Sequence, residues 1–155
     1  MLHNLLIAAH ALAGVVCFAA GIACLGLSTA GATRFRVYFA ALVGLMVFLL
    51  AAVAYDWRHL DTTAQLIYLG LTGLGSYMLW RAVRANARLH RQGDGWRSGY
   101  LDDIGFTLIS LFDGFVIVLA IDLGAPGWLV ALLAVAGVAA GILAIRQVKA
   151  RYAPG

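Results

Sequence analysis

The sequence predicts an all-α, polytopic integral membrane protein, a single bundle of five transmembrane helices over residues 1–155. Three observations carry that expectation. The chain is 63% hydrophobic and only 12% charged, with mean hydropathy +0.91, whereas soluble domains carry about 25% charged residues. Its apolar residues fall into runs long enough to cross a bilayer, which takes about 20 residues per helix. Its basic residues collect in alternate short loops, where they act as topology signals. The runs use up nearly the whole chain, so no separate catalytic domain is expected.

The five spans are expected at about 3–27, 36–55, 64–83, 104–123 and 127–147. Met1 to Asn4 holds no Lys or Arg. The first segment therefore lacks the basic start of a signal peptide and is read as an uncleaved span. Nearly all of its polar chemistry lies on one face: His3, His10, Cys17 and Cys24 recur every seven residues, with Gly14 and Gly21 along the same line. Seven residues make about 700° of helix, roughly 20° short of two turns, so these side chains form one slowly drifting stripe. The stripe is expected to face protein and the Leu, Ile, Val, Ala and Phe around it to face lipid. Cys17 and Cys24 lie about 10 Å apart along the axis, too far to bridge within one helix.

Turn formers set the remaining boundaries: Ser28-Thr29-Ala30-Gly31 before the second span, Gly93-Asp94-Gly95 in the longest polar stretch, and Gly124-Ala125-Pro126-Gly127 between the last two. That last connection is short enough to force a tight antiparallel hairpin. Arg81, Arg84, Arg88 and Arg91, spaced by three and four residues, are expected to prolong helix three as a basic face against anionic lipid headgroups. Gly137 and Gly141, with Ala136, Ala140 and Ala144 nearby, give helix five a small-residue face for close helix contact, either within the bundle or between protomers of a homo-oligomer.

Orientation follows from the basic residues. The first loop holds Arg34 and Arg36, the third region Arg81, Arg84, Arg88, Arg91 and Arg97, and the tail Arg146, Lys149 and Arg151. Of the eleven, only Arg58 falls on the other side. The positive-inside bias then places the N-terminus outside and the C-terminus in the cytoplasm, as an odd number of spans requires. The net charge of +4 and pI near 9.4 are thereby explained by topology and do not call for a nucleic-acid partner. Abundant Ala and Gly, with Arg preferred over Lys, point to a bacterial inner membrane.

With depth assigned, the ionisable groups sort into candidate sites. Asp113 sits mid-span in Leu111-Phe112-Asp113-Gly114-Phe115, where an ionised carboxylate costs several kcal/mol. It is expected to face the bundle interior, with Ser110, Thr107 and Asp103 extending a polar line from it toward the cytoplasm. His10, about one turn shallower, is its expected partner in acid–base chemistry. Tyr55, Trp57 and Tyr68 near the outer interface, together with Ser110, are candidates to line a pocket for a small lipophilic molecule; the remaining aromatics form the interfacial belt. His3, His10 and His59 are donor types suited to zinc or copper, but His3 and His10 lie about 10 Å apart along the axis, too far to share one ion directly. Haem would need a second axial group opposite a single His, such as Cys17 or a Tyr.

No signature of a soluble enzyme is present: no phosphate-binding glycine loop before a Lys, no Cys-x-x-Cys, no His-Glu-x-x-His and no nucleophile elbow. There is no glutamate, so carboxylate chemistry falls to seven aspartates. Three readings follow. The first is a handler of a small lipophilic ligand or substrate in a His/Asp-lined intramembrane pocket, with Asp113 and His10 as catalytic groups, membrane lipids around it and no required cofactor. The second is a redox protein holding copper, zinc or haem through His3, His10 and His59. The third is a non-catalytic accessory subunit of a membrane complex.

Overall fold

The computed structural model describes residues 2–26, 31–59 and 62–151. It is all helical over those residues: α1 (Leu2–Cys24), α2 (Gly31–Asp56) with a 3-10 turn at Trp57–His59, α3 (Thr62–Arg91), α4 (Trp96–Asp122) and α5 (Gly127–Arg151). Ser28, Thr29, Ala30 and Asp61 lie outside the described residues, as do the side chains of His3, His59 and Asp122. Four helices are long and apolar enough to cross a membrane, at Leu5–Cys24, Ala32–Asp56, Trp96–Ala120 and Gly127–Arg151. Helix α3 is not among these four: Thr62, Gln65, Thr72 and Ser76 dilute its apolar first part, and its last three turns carry Arg81, Arg84, Arg88 and Arg91. Helix α3 runs on past the span limit of 83 to Arg91, the prolongation expected of its arginines, while α4 begins at Trp96, ahead of the expected 104, since charged residues that end an apolar run do not end a helix.

The helices divide into two compact units, Met1–Val83 and Arg84–Gly155, with α3 contributing to both. In the first unit α1 packs closely against α2. Gly14, Cys17, Gly21 and Cys24 are buried in steps of three and four, while Leu5, Leu12, Val15, Val16 and Ile22 stay exposed. From Gly14 to Cys24 the stripe read from the sequence is thus a packing seam. On α2 the buried positions are Phe35, Tyr38, Leu42 and Leu45, again in steps of three and four. Two faces with a mean period of 3.5 residues stay in register along the contact. Small residues on α1 let the two backbones approach, and large ones on α2 fill the space.

Hydrogen bonds fix that register as antiparallel. His10 Nδ1 lies 2.9 Å from the Leu45 carbonyl oxygen, and Cys17 Sγ donates to the Tyr38 carbonyl at 3.7 Å. Both pairs step by one heptad, from residue 10 to 17 on α1 and from 45 to 38 on α2. The first part of α3 leans on α2 through Met46, whose side chain occupies the space a Cβ at Gly75 would need.

In the second unit α4 and α5 form the expected hairpin. The end of α4 is capped by Gly124 at φ +74°, with the Ala125 amide donating to the Ala120 carbonyl at 2.9 Å, a Schellman closure. The Pro126 carbonyl then accepts from the amides of Leu129 and Val130 at 2.9 and 3.2 Å, opening α5. The contact is built of rungs one turn apart. A Cβ on Gly105 would lie 2.6 Å from the Ile145 side chain, one on Gly141 would collide with Ile109, and one on Gly137 would collide with Asp113 Oδ1. Each rung sets a glycine against a larger side chain, with rows of i, i+4 residues meeting on both helices. Of the two partners weighed for the Gly137/Gly141 face, α4 of the same chain is the one observed.

At the other end of this unit, charge pairs hold the helices. Arg88 Nε and Arg84 Nε lie 3.2 and 3.9 Å from Oδ2 of the buried Asp103, and Gly99 makes room for the Arg88 guanidinium. Asp102 receives Lys149 Nζ at 2.8 and 2.9 Å. The second pair is half-exposed and worth at most about 1 kcal/mol. The first compensates a buried carboxylate, whose isolation would cost about 3–5 kcal/mol.

Gly141→Val is expected to separate α4 from α5, costing about 1–3 kcal/mol through overpacking and lowering the thermal midpoint in detergent by several degrees. Gly114→Ala, whose Cβ would meet nothing within 4 Å, should leave the midpoint unchanged. Equal midpoints for the two variants would show that the glycine rungs do not set the helix spacing.

Candidate functional site

The concave feature that joins sequence-predicted residues lies in the first unit, where α2 ends and α3 begins. It is an open cleft of about 470 Å³ lined by Leu50, Val53, Ala54, Trp57, Arg58, Tyr68, Leu69 and Thr72. Leu50, Val53, Ala54 and Trp57 follow i, i+3, i+4, i+7 spacing, so they form one face about 10 Å long. The 3-10 turn tightens the chain after Asp56 and brings Trp57 and Arg58 to the mouth of this face. Gln65 Nε2 donates to the Trp57 carbonyl at 3.2 Å, tying the turn to the start of α3. Tyr68, Leu69 and Thr72 supply the opposite wall from adjacent turns of α3. Arg58 is the only charged residue among the described residues lining the cleft. The arrangement offers an apolar floor, two amphipathic aromatic rings and one cation, the residue set of a site for a molecule with an apolar body and a polar end.

Of the four residues expected to bind a lipophilic ligand, Trp57 and Tyr68 meet here. Tyr55 is exposed and does not line the cleft, and Ser110 belongs to α4 in the other unit. Arg58 is, from the sequence, the exception to the orientation count and one of the ionisable residues on the outer side, and not a candidate for the pocket. Its position directly after a Trp at a span boundary was the signal that could have placed it.

The expected acid–base residues fall in different units. His10 is half-buried beside α2, where a carbonyl oxygen can only accept, so its Nδ1 carries the hydrogen donated to Leu45. In the neutral ring Nε2 is then the acceptor. Asp113 is half-buried against α5, with Oδ1 enclosed at Gly137 and without a hydrogen-bond partner among the described residues. It takes the place that an isoleucine holds on each of the neighbouring rungs. Along the polar line below it, Asp103 is paired with arginines, Thr107 is fully buried with a hydroxyl lacking a partner among the described residues, and Ser110 is half-buried.

The histidines expected to hold a metal are not brought together: among the described residues no group of three His, Cys, Asp or Glu side chains is placed to bind an ion. The side chains of His3 and His59 lie outside the description, which leaves His10 as the placed member of that set.

Comparison of the chain with protein-family models, with curated proteins and with solved structures finds no match. The functional reading therefore rests on the geometry alone.

Replacing Asp113 by the residue its neighbouring rungs use tests whether it serves packing. A carboxyl seated without a donor is a cost in the folded state. Asp113→Ile is expected to raise stability by about 1–2 kcal/mol, read as a higher thermal midpoint in detergent. A clear fall in the midpoint would mean that the carboxyl makes a stabilising contact the rung pattern does not explain.

Proposed function

We propose that this protein is a multi-pass protein of the bacterial cytoplasmic membrane that binds a small lipophilic molecule in the cleft between the end of α2 and the start of α3. The observation that carries this reading is the cleft itself, lined by the apolar Leu50, Val53 and Leu69 together with Trp57, Tyr68 and Arg58. Its volume falls within the range of about 300–1,000 Å³ typical of small-molecule sites. The ligand enters sideways from the bilayer, since the cleft is open and Leu50, Trp57 and Leu69 are exposed at its edge.

A photoreactive single-chain lipid probe applied to the protein in nanodiscs tests the reading. Labelling within residues 50–72 should saturate, whereas labelling of the exposed face of α5 should rise linearly with probe. Leu69→Trp, which fills the cleft, and Trp57→Ala, which removes one wall, should each cut the saturable component at least fivefold. Labelling of 50–72 that never saturates would reject the site.

A second reading is favoured by His10. Donation of Nδ1–H to a backbone carbonyl is the outer-sphere arrangement that orients an imidazole to use Nε2 toward a metal ion, haem iron or proton. An ultraviolet-visible spectrum with metal analysis decides it. A Soret band or near-stoichiometric metal that disappears in His10→Ala would support the reading, and a colourless, metal-free protein would remove it.

A further inference from the structure

We infer that the cleft selects an amphiphile with a single hydrocarbon chain and a monoanionic carboxylate head, which Arg58 binds. This inference rests on the cleft being the ligand site and adds the class of ligand it takes.

Charge is the first ground. Arg58 is exposed at the cleft mouth, and no ion pair to it is present among the described residues. Ten of the eleven basic residues lie in the helix ends that a positive-inside orientation assigns to one side. Arg58 alone sits on the opposite side, where it contributes nothing to that bias. An arginine beside an apolar surface can lay its aliphatic stem along that surface and keep its charged planar fork in water. That fork matches a carboxylate through two parallel hydrogen bonds. Because no second cation lines the cleft among the described residues, one guanidinium there balances one negative charge; a phosphate monoester, at about −1.5 to −2, would be left under-compensated.

Shape is the second ground. Leu50, Val53 and Ala54 of α2 and Leu69 of α3 give the cleft its aliphatic lining, and Trp57 and Tyr68 line it together with Arg58. Aromatic rings with polar tips suit the junction between a chain and its head. One floor between two helices accepts one chain, while a two-chain phospholipid would need a second groove for its other tail. Gln65, bonded to the Trp57 carbonyl, keeps this corner of the cleft preformed and so limits the ordering that binding requires.

The experiment uses the full chain in nanodiscs of zwitterionic lipid, with saturable photolabelling of residues 50–72 by a diazirine fatty acid as the readout. The competitors are an unlabelled fatty acid, fatty alcohol and fatty amine of equal chain length. The acid is expected to compete about five- to tenfold better than the alcohol, and the amine worst. Arg58→Gln should lower the acid to the level of the alcohol without changing the alcohol, which also reports that the variant is folded; Arg58→Lys should retain part of the preference. Equal competition by acid and alcohol in the unaltered protein, with labelling still abolished by Leu69→Trp, would overturn the carboxylate assignment and leave the cleft standing as a lipophilic site. Labelling indifferent to Leu69→Trp would overturn the cleft itself, and the assignment with it. A two-chain anionic phospholipid competing better than the fatty acid would overturn the single-chain assignment.

Discussion

Close backbone approach is the constraint on which this protein depends. Two apolar helices in a bilayer gain nothing from leaving lipid, which is as apolar as their own side chains, so they adhere through dispersion and packing. Dispersion falls off so steeply that spacing decides the outcome. The two helix pairs reach close spacing by different routes. α1 keeps its small residues together, with Gly14, Cys17, Gly21 and Cys24 in one seam facing the large residues of α2. α4 and α5 alternate them, so that Gly105 lies under Ile145 and Gly141 under Ile109. The first design makes one helix a groove and the other its filling. The second makes each helix both.

Close packing decides which polar groups the seams tolerate. Each helix carbonyl uses one lone pair in its own ladder and keeps another, whereas each interior amide has given its only hydrogen. A helix surface thus offers spare acceptors and no spare donors. His10 and Cys17, both able to donate, find the carbonyls of Leu45 and Tyr38, and Ser76 finds the Thr72 carbonyl at 2.8 Å within its own helix. Carboxylate oxygens need donors and cannot be served this way. Asp103 and Asp102 meet arginine and lysine side chains instead, while Asp113, lodged at Gly137, has Oδ1 without a partner among the described residues. Its neighbours on the ladder show that an aliphatic side chain fits the same slot, so packing alone does not call for an acid there.

How much of this was legible in the sequence varies with the kind of information needed. The all-helical class, the five elements and the tight turn at Gly124 follow from apolar runs and turn chemistry, and the structure has them. The stripe on α1 was visible as a period of seven, but its meaning depended on what faced it. The partner face of Phe35, Tyr38, Leu42 and Leu45 is buried in a second apolar run, where almost every residue could be either core or lipid contact. The expected pairing of His10 with Asp113 came from depth alone. Depth fixes how far along its axis a residue sits and says nothing of which way it points, and Asp113 points at Gly137 of α5. The prolongation of α3 through Arg84, Arg88 and Arg91 was legible in their spacing, whereas the start of α4 at Trp96 lies ahead of the apolar run from which the limit of 104 follows. In a long helix leaving the apolar region, arginines four residues apart stay on one face and find a carboxylate on the next helix.

The cleft was the least legible feature, because it depends on which residues of α3 come to face Leu50, Val53 and Ala54 at the end of α2. The final turns of α2 run Ala51-Ala52-Val53-Ala54, the same small-residue chemistry that permits close contact along the α1 seam. There a partner fills the space. Near Val53 the wall facing α2 is formed by Tyr68, Leu69 and Thr72, and the gap remains open. In α3 the approach to α2 is made at Gly75, under Met46, roughly one to two turns beyond that wall. Had a glycine stood where Leu69 stands, with a large side chain opposite it, the seam could have closed as it does between α4 and α5. Small residues on one helix thus make either an interface or a site, and the difference lies in the helix across from them. Here the opening is bordered by Trp57, Tyr68 and an arginine, residues with polar ends. A gap that served only to relieve packing would need none of them.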